Sequence, residues 1–79
     1  MKLEIITPNK IEFSGEVSIV TLPGVAGSFS ILDHHAPLIS ALSKGILSYQ
    51  SDKQKENIEI EGGFVEVNKN IVTVCIEAV

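Results

Sequence analysis

Apolar and polar residues alternate over short runs of this chain, and turn-forming residues separate the runs. In residues 2–7, Leu3 and Ile5 fall on one side and Glu4 and Ile6 on the other. Pro8-Asn9 marks a turn, since proline removes a ladder donor and asparagine tolerates turn geometry. Residues 10–14 alternate again and predict Ile11 and Phe13 facing inward, with Lys10 and Glu12 outward. Gly15 allows a bend before residues 16–22, where Val17, Ile19 and Thr21 share one face and Val20 and Leu22 the other. Past a loop at residues 23–27, Phe29 and Ile31 share one side of a short strand.

Pro37 starts an apolar run over residues 38–42, and Lys44-Gly45 turns the chain into residues 46–50. Residues 51–55 are polar and read as an exposed hairpin tip. Ile58 and Ile60 point inward from residues 57–61, Gly62-Gly63 interrupts the pattern, and residues 64–67 resume it. Asn68-Lys69-Asn70 is a turn signal ahead of a last strand at residues 71–77. Residues 36–42 carry an apolar spacing that a short helix shares, but Pro37 and the β-branched neighbours favour a strand. Closely spaced strands with no helical period predict one all-β domain over residues 1–79. The expected form is a small β-sandwich of two mostly antiparallel sheets, with about nine or ten short strands.

Three segments depart from a free sandwich. Residues 18–22, 38–42 and 71–76 carry apolar groups on both faces, the pattern of strands covered on both sides. A curled sheet that covers part of its own outside accounts for this, and so does a protein partner on the outer face.

Composition narrows the classes. A chain of 79 residues buries only ~60% of its unfolded surface, so a partner subunit is a plausible source of stability. Cys75 has no second cysteine to pair with. Net charge is −4 and every basic residue is a lysine, scattered among acids. That leaves no arginine fork and no basic footprint, which argues against nucleic acid. No apolar run approaches the ~20 residues of a spanning helix, and the amino terminus does not read as a signal peptide. Membrane association is therefore expected only through a partner.

Candidate chemistry is sparse. Asp33-His34-His35 has metal-ligand residue types, but consecutive side chains of an extended segment diverge, and no further histidine exists. Gly24 and Gly27 lack the following lysine, hydroxyl residue and helix of a phosphate loop. Gly27-Ser28-Phe29 lacks the flanks of a nucleophile elbow, and Cys75 sits within a strand without a neighbouring base. No catalytic, cofactor-binding or metal set emerges, and no small-molecule substrate is implied. Lys53 at the hairpin tip keeps one alternative open. Lipoyl and biotinyl carrier domains are acidic, all-β and of this length, and carry a modified lysine on such a turn; the apolar flanks of that turn are missing here.

Several ordered pieces are familiar. Phe13-Ser14-Gly15, Leu22-Pro23-Gly24, Gly27 with Phe29 and Ile31, His35-Ala36-Pro37-Leu38, Gly45, Gly62-Gly63-Phe64-Val65-Glu66-Val67 and Val72-Thr73-Val74 resemble the N-terminal β-sandwich of the epsilon subunit of rotary, F-type ATP synthases. The resemblance covers essentially the whole chain. It departs at Ser30, where the family usually has glycine, and at Asp33-His34, where it has proline-glycine. Most members also continue into a C-terminal helical pair that restrains ATP hydrolysis; this chain is expected to lack that hairpin.

The resemblance implies a non-catalytic rotor subunit without a cofactor, coupling the gamma subunit to the membrane c-ring during proton-driven ATP synthesis. It implies a peripheral position on the cytoplasmic face of the bacterial inner membrane. The implied ring-contact loop opens with Gly27, Ser28 and Phe29, continues through Ser30, Ile31 and Leu32, and closes with Asp33, His34 and His35. The expected gamma contact is the outward side of residues 38–42, taken as Leu38, Ser40 and Leu42 with Ser40 foremost, together with Cys75.

Overall fold

A computed structural model describes residues 1–52 and 54–78 and contains eight strands and no helix. They are β1 (Lys2–Ile6), β2 (Ile11–Glu16), β3 (Ile19–Gly24), β4 (Gly27–Leu32), β5 (Leu38–Leu42), β6 (Gly45–Gln50), β7 (Lys55–Asn68) and β8 (Ile71–Ala78). Hydrogen bonding joins them into one path, β2-β1-β8-β7-β5-β3-β4, with β6 bridging β3 and β7. This path folds over into two layers. One is β2-β1-β8 with the C-terminal half of β7 and β5; the other is β4-β3-β6 with the N-terminal half of β7. All pairings are antiparallel except that of β1 with β8.

The strand that serves both layers is β7, and its sequence explains how. Ile58 and Ile60 face inward before the glycine pair, Val65 and Val67 after it, so the alternation changes phase across Gly62-Gly63. The two runs expected from the sequence are thus one bent strand. Gly63 has φ 145, and a Cβ there would collide with the backbone carbonyl of Cys75. Only glycine lets β8 approach the corner this closely.

A second bulge corrects the first hairpin. Ile5 pairs with Phe13 but Ile6 pairs with Ile11, leaving Glu12 as the extra residue. A bulge shifts the side-chain phase of its strand. Phe13 therefore turns to the core while Ile11, expected inward, is 62% exposed.

The interior joins both layers. Leu3, Ile5, Val65, Val67, Val72 and Val74 meet Val20, Leu22, Ile31, Leu47 and Ile60 in one cluster of buried side chains. Each such burial contributes roughly 1.5–3 kcal/mol before chain entropy is counted. Phe13 of β2 and Tyr49 of β6 span the layers with ring centroids 4.3 Å apart.

Candidate functional site: an uncharged outer row and a clasped loop

The outward face of the first layer carries the most distinctive surface. Directly opposed residues of neighbouring strands share a face, so the register can be followed across the layer. Ala41 of β5 pairs with Phe64 of β7, Phe64 with Cys75 of β8, Cys75 with Ile6 of β1, and Ile6 with Ile11 of β2. The result is a continuous uncharged row. Phe64 is 50% exposed, and Cys75 and Ile6 are half-buried. Along it, Ile6, Phe64 and Cys75, with Pro8, Ile76 and Glu77, line a shallow depression of ≈ 340 Å³.

The adjoining row is different in kind. Ile39 pairs with Glu66, Glu66 with Thr73, Thr73 with Glu4, and Glu4 with Ser14. On the other side lies exposed Glu77. An apolar strip between acidic margins suits a partner ridge whose apolar side chains are flanked by cations.

The sequence-derived gamma contact needs correction in its facing. Leu38, Ser40 and Leu42 share the parity of Val65 and Val67, their inward-facing partners' face, because Leu38 pairs with Val67 and Ser40 with Val65. Leu42 is a core residue at 5% exposure, and Leu38 and Ser40 are half-buried. The outward residues of β5 are Ile39, which is 75% exposed, and Ala41. Cys75 does face outward, within the row. The sequence reading passed over Ile6, Ile11 and Phe64. Their signal was the phase change at the bulge and at the glycine pair, visible only once strand register is known.

The segment expected to meet the ring is β4 and the turn after it. β4 is the edge of the second layer, pairing only with β3. Phe29 packs against the core and Ile31 lies within it, whereas Ser28, Ser30 and Leu32 are exposed. Thr21 and Ser30 share a hydroxyl hydrogen bond of 2.9 Å across β3 and β4. After β4 the backbone tightens, and the His35 amide donates to the Leu32 carbonyl at 3.2 Å.

Two anchors hold this turn. The Met1 ammonium donates to Asp33 Oδ1 at 2.7 Å and to the Val17 carbonyl at 3.2 Å. The His34 amide donates to Asn70 Oδ1 at 2.8 Å. That ammonium hydrogen bond, then its charge, holds the Asp33 carboxyl below its usual range, with Asn70 and His34 adding to the effect. The bond to Asp33 in turn raises the Met1 amine against the opposing effect of burial. His34 has φ 62, a left-handed conformation that glycine enters freely. It falls where the resembling family has glycine.

The three side chains at Asp33-His34-His35 do not converge. Asp33 turns to the amine, and His35 Nδ1 donates to the Ala36 carbonyl at 2.8 Å. Among the described residues no three His, Cys, Asp or Glu side chains come together as a metal site. Lys53, on which the carrier alternative turns, lies outside the described residues.

Comparison with known proteins agrees with the fold. Residues 1–79 match the family described as ATP synthase, Delta/Epsilon chain, beta-sandwich domain. The ATP synthase epsilon chain of Chlorobium limicola is 50% identical over 70 residues, which cover 87% of this chain and 80% of that protein. The epsilon chain of Carboxydothermus hydrogenoformans (strain ATCC BAA-161 / DSM 6008 / Z-2901) is 44% identical over 78 residues, 99% of this chain but only 58% of its own length. In the Euglena gracilis mitochondrial ATP synthase, one chain superposes with TM-score 0.87 at 25% identity, over 94% of this chain and 48% of that one. A chain of the Tetrahymena thermophila mitochondrial enzyme, solved as central stalk and c-ring, shares the fold with TM-score 0.84 at 18% identity, over 96% and 62%. The chain belongs to the ATP synthase delta/epsilon family, as its β-sandwich domain.

Proposed function

We propose that this sandwich is a non-catalytic element of the ATP synthase central stalk, docked between the gamma subunit and the c-ring. The observation that carries the reading is the uncharged row Ala41-Phe64-Cys75-Ile6-Ile11 on a chain of net charge −4. It supplies a flat, prealigned apolar strip for gamma, with Ile39 at its border. The row replaces Leu38, Ser40 and Leu42 as the expected gamma surface, and keeps Cys75.

The ring contact is assigned to residues 27–35, at the far edge from β2. Torque transfer needs two surfaces held rigidly by one core, and the shared cluster of buried side chains provides that link. No group on either surface has to titrate or react. On this reading the domain is peripheral at the cytoplasmic face of a bacterial inner membrane, held there by its partners.

The test is co-purification with the gamma subunit, using wild type, Ala41→Arg and, as a control on the inward parity, Ser40→Ala. Wild type and Ser40→Ala should retain gamma, and Ala41→Arg should lose it while keeping its melting temperature. Retention by Ala41→Arg would move the interface off this face. Absence of gamma from the wild-type sample would overturn the stalk assignment.

A further inference from the structure

We infer that Asn70 is the positioning residue of the 27–35 segment: its side chain clasps the turn after β4 from the opposite layer and fixes how Asp33, His34 and His35 are displayed. Asn70 lies in the β7–β8 turn, 36 residues away in sequence from His34, and its Oδ1 accepts the His34 amide at 2.8 Å. His34 holds φ 62 although it is not glycine. A side chain in that region is disfavoured and persists only where neighbours over-determine it. The bond from Asn70 is the interaction that reaches His34 from outside its own turn.

Asn70 is itself prepared for this. It has φ 62 and follows Lys69 at φ 51, and from this turn its side chain reaches the segment after β4. Its backbone carbonyl accepts the Lys2 amide at 3.1 Å, which ties the same residue to the start of β1. One residue thus links the first layer's turn to the second layer's edge. Asp33, next to His34, is bonded by the Met1 ammonium at 2.7 Å, and Asn70 adds a smaller influence on its carboxyl. The turn is therefore pinned at consecutive residues from two directions. The display of this segment to a ring rests on the proposed stalk reading; the clasp itself does not.

The test uses Asn70→Gly, which keeps the left-handed turn accessible and removes only the side chain. Exchange of the His35 amide, whose bond to Leu32 closes the turn, should accelerate by about tenfold or more while core amides of β1 and β8 stay protected. Adding His34→Gly should restore protection to within about twofold, because glycine occupies φ 62 without the side-chain cost. Unchanged His35 exchange in Asn70→Gly, or no rescue by His34→Gly, would overturn the inference. Loss of core protection in Asn70→Gly would do so as well, since it would make Asn70 a general stability residue.

A binding arm with detergent-solubilised c-ring separates the two claims. Asn70→Gly should bind several-fold more weakly than wild type. Equal binding by the two would overturn the positioning role in docking. No binding by wild type would refute the ring reading, while His35 exchange would still decide the clasp.

Discussion

Phe64 and Cys75 lie directly opposite each other on the outward face of the first layer, while the neighbouring pair, Gly63 and Ile76, opposes on the inward side. The outward direction of Phe64 follows from the phase change at Gly62-Gly63. Without it Phe64 would enter the core and Val65 would face solvent.

Charging this row should therefore separate docking from stability. Phe64→Glu removes an exposed ring, so thermal stability should change by less than about 1 kcal/mol. Its loss from the centre of a docking strip should cost about 2 kcal/mol or more in gamma affinity. Titration calorimetry beside a melting curve reads both. A large stability loss with unchanged affinity would make Phe64 a packing residue.

The corner glycine should behave in the opposite way. Gly63→Ala places a Cβ against the Cys75 carbonyl at φ 145, and should destabilise by roughly 3 kcal/mol in urea unfolding. Gly27→Ala is the comparison. Its φ is 128, but nothing lies within 4 Å of a Cβ there, so only backbone strain of about 1 kcal/mol is expected. Equal effects would show that close approach at the corner is not what requires glycine.

How far the chain could be read without coordinates follows from these same positions. Alternation alone identified an all-β sandwich and the inward faces of Phe13, Ile58 and Ile60, and it grouped Leu3 with Ile5 and Val20 with Leu22, because period-two burial is a local property. It misdirected Ile11 and divided β7 in two, because a bulge is set by the partner strand's register. The gamma contact implied by the resemblance took Leu38, Ser40 and Leu42 as an outward side although they share the core-facing parity. The row Ala41-Phe64-Cys75-Ile6-Ile11 draws on five strands, and no sequence window contains it. The Asn70 clasp was hidden for the same reason, although the Asp33-His34 departure marked the place where a compensating contact was needed.

Acid and base should act at opposite ends of the Met1–Asp33 pair. The carboxyl's folded value is lowered, so its contribution is present above the ordinary ~3.9 and is lost as pH falls through the depressed value. The amine's folded value is raised, so its contribution is present below about 8 and is lost as pH rises through the elevated value. The plateau of this pair thus lies between about pH 4 and 8. In the chain beginning at Met1, Asp33→Asn should flatten both flanks in a pH series of urea midpoints. Flanks that persist unchanged would assign them to other groups.

Tyr49 should add a later alkaline loss. Burial, then the charge of Glu56, raises its phenol. The unfolded chain therefore ionises first above about pH 10, and stability falls as pH rises through the folded value. Tyr49→Phe keeps the ring beside Phe13 and should remove that step. A step that survives in Tyr49→Phe would locate it elsewhere.

Cys75 offers the most direct test of the docking face, since it is the chain's single cysteine and sits in the middle of the row. Its rate of alkylation should be measured in the free chain and with saturating gamma subunit. The account predicts that gamma slows the reaction by at least about tenfold, as expected for a thiol buried at an interface core. Equal rates with gamma demonstrably bound would contradict it, because the outer row would then be open in the complex.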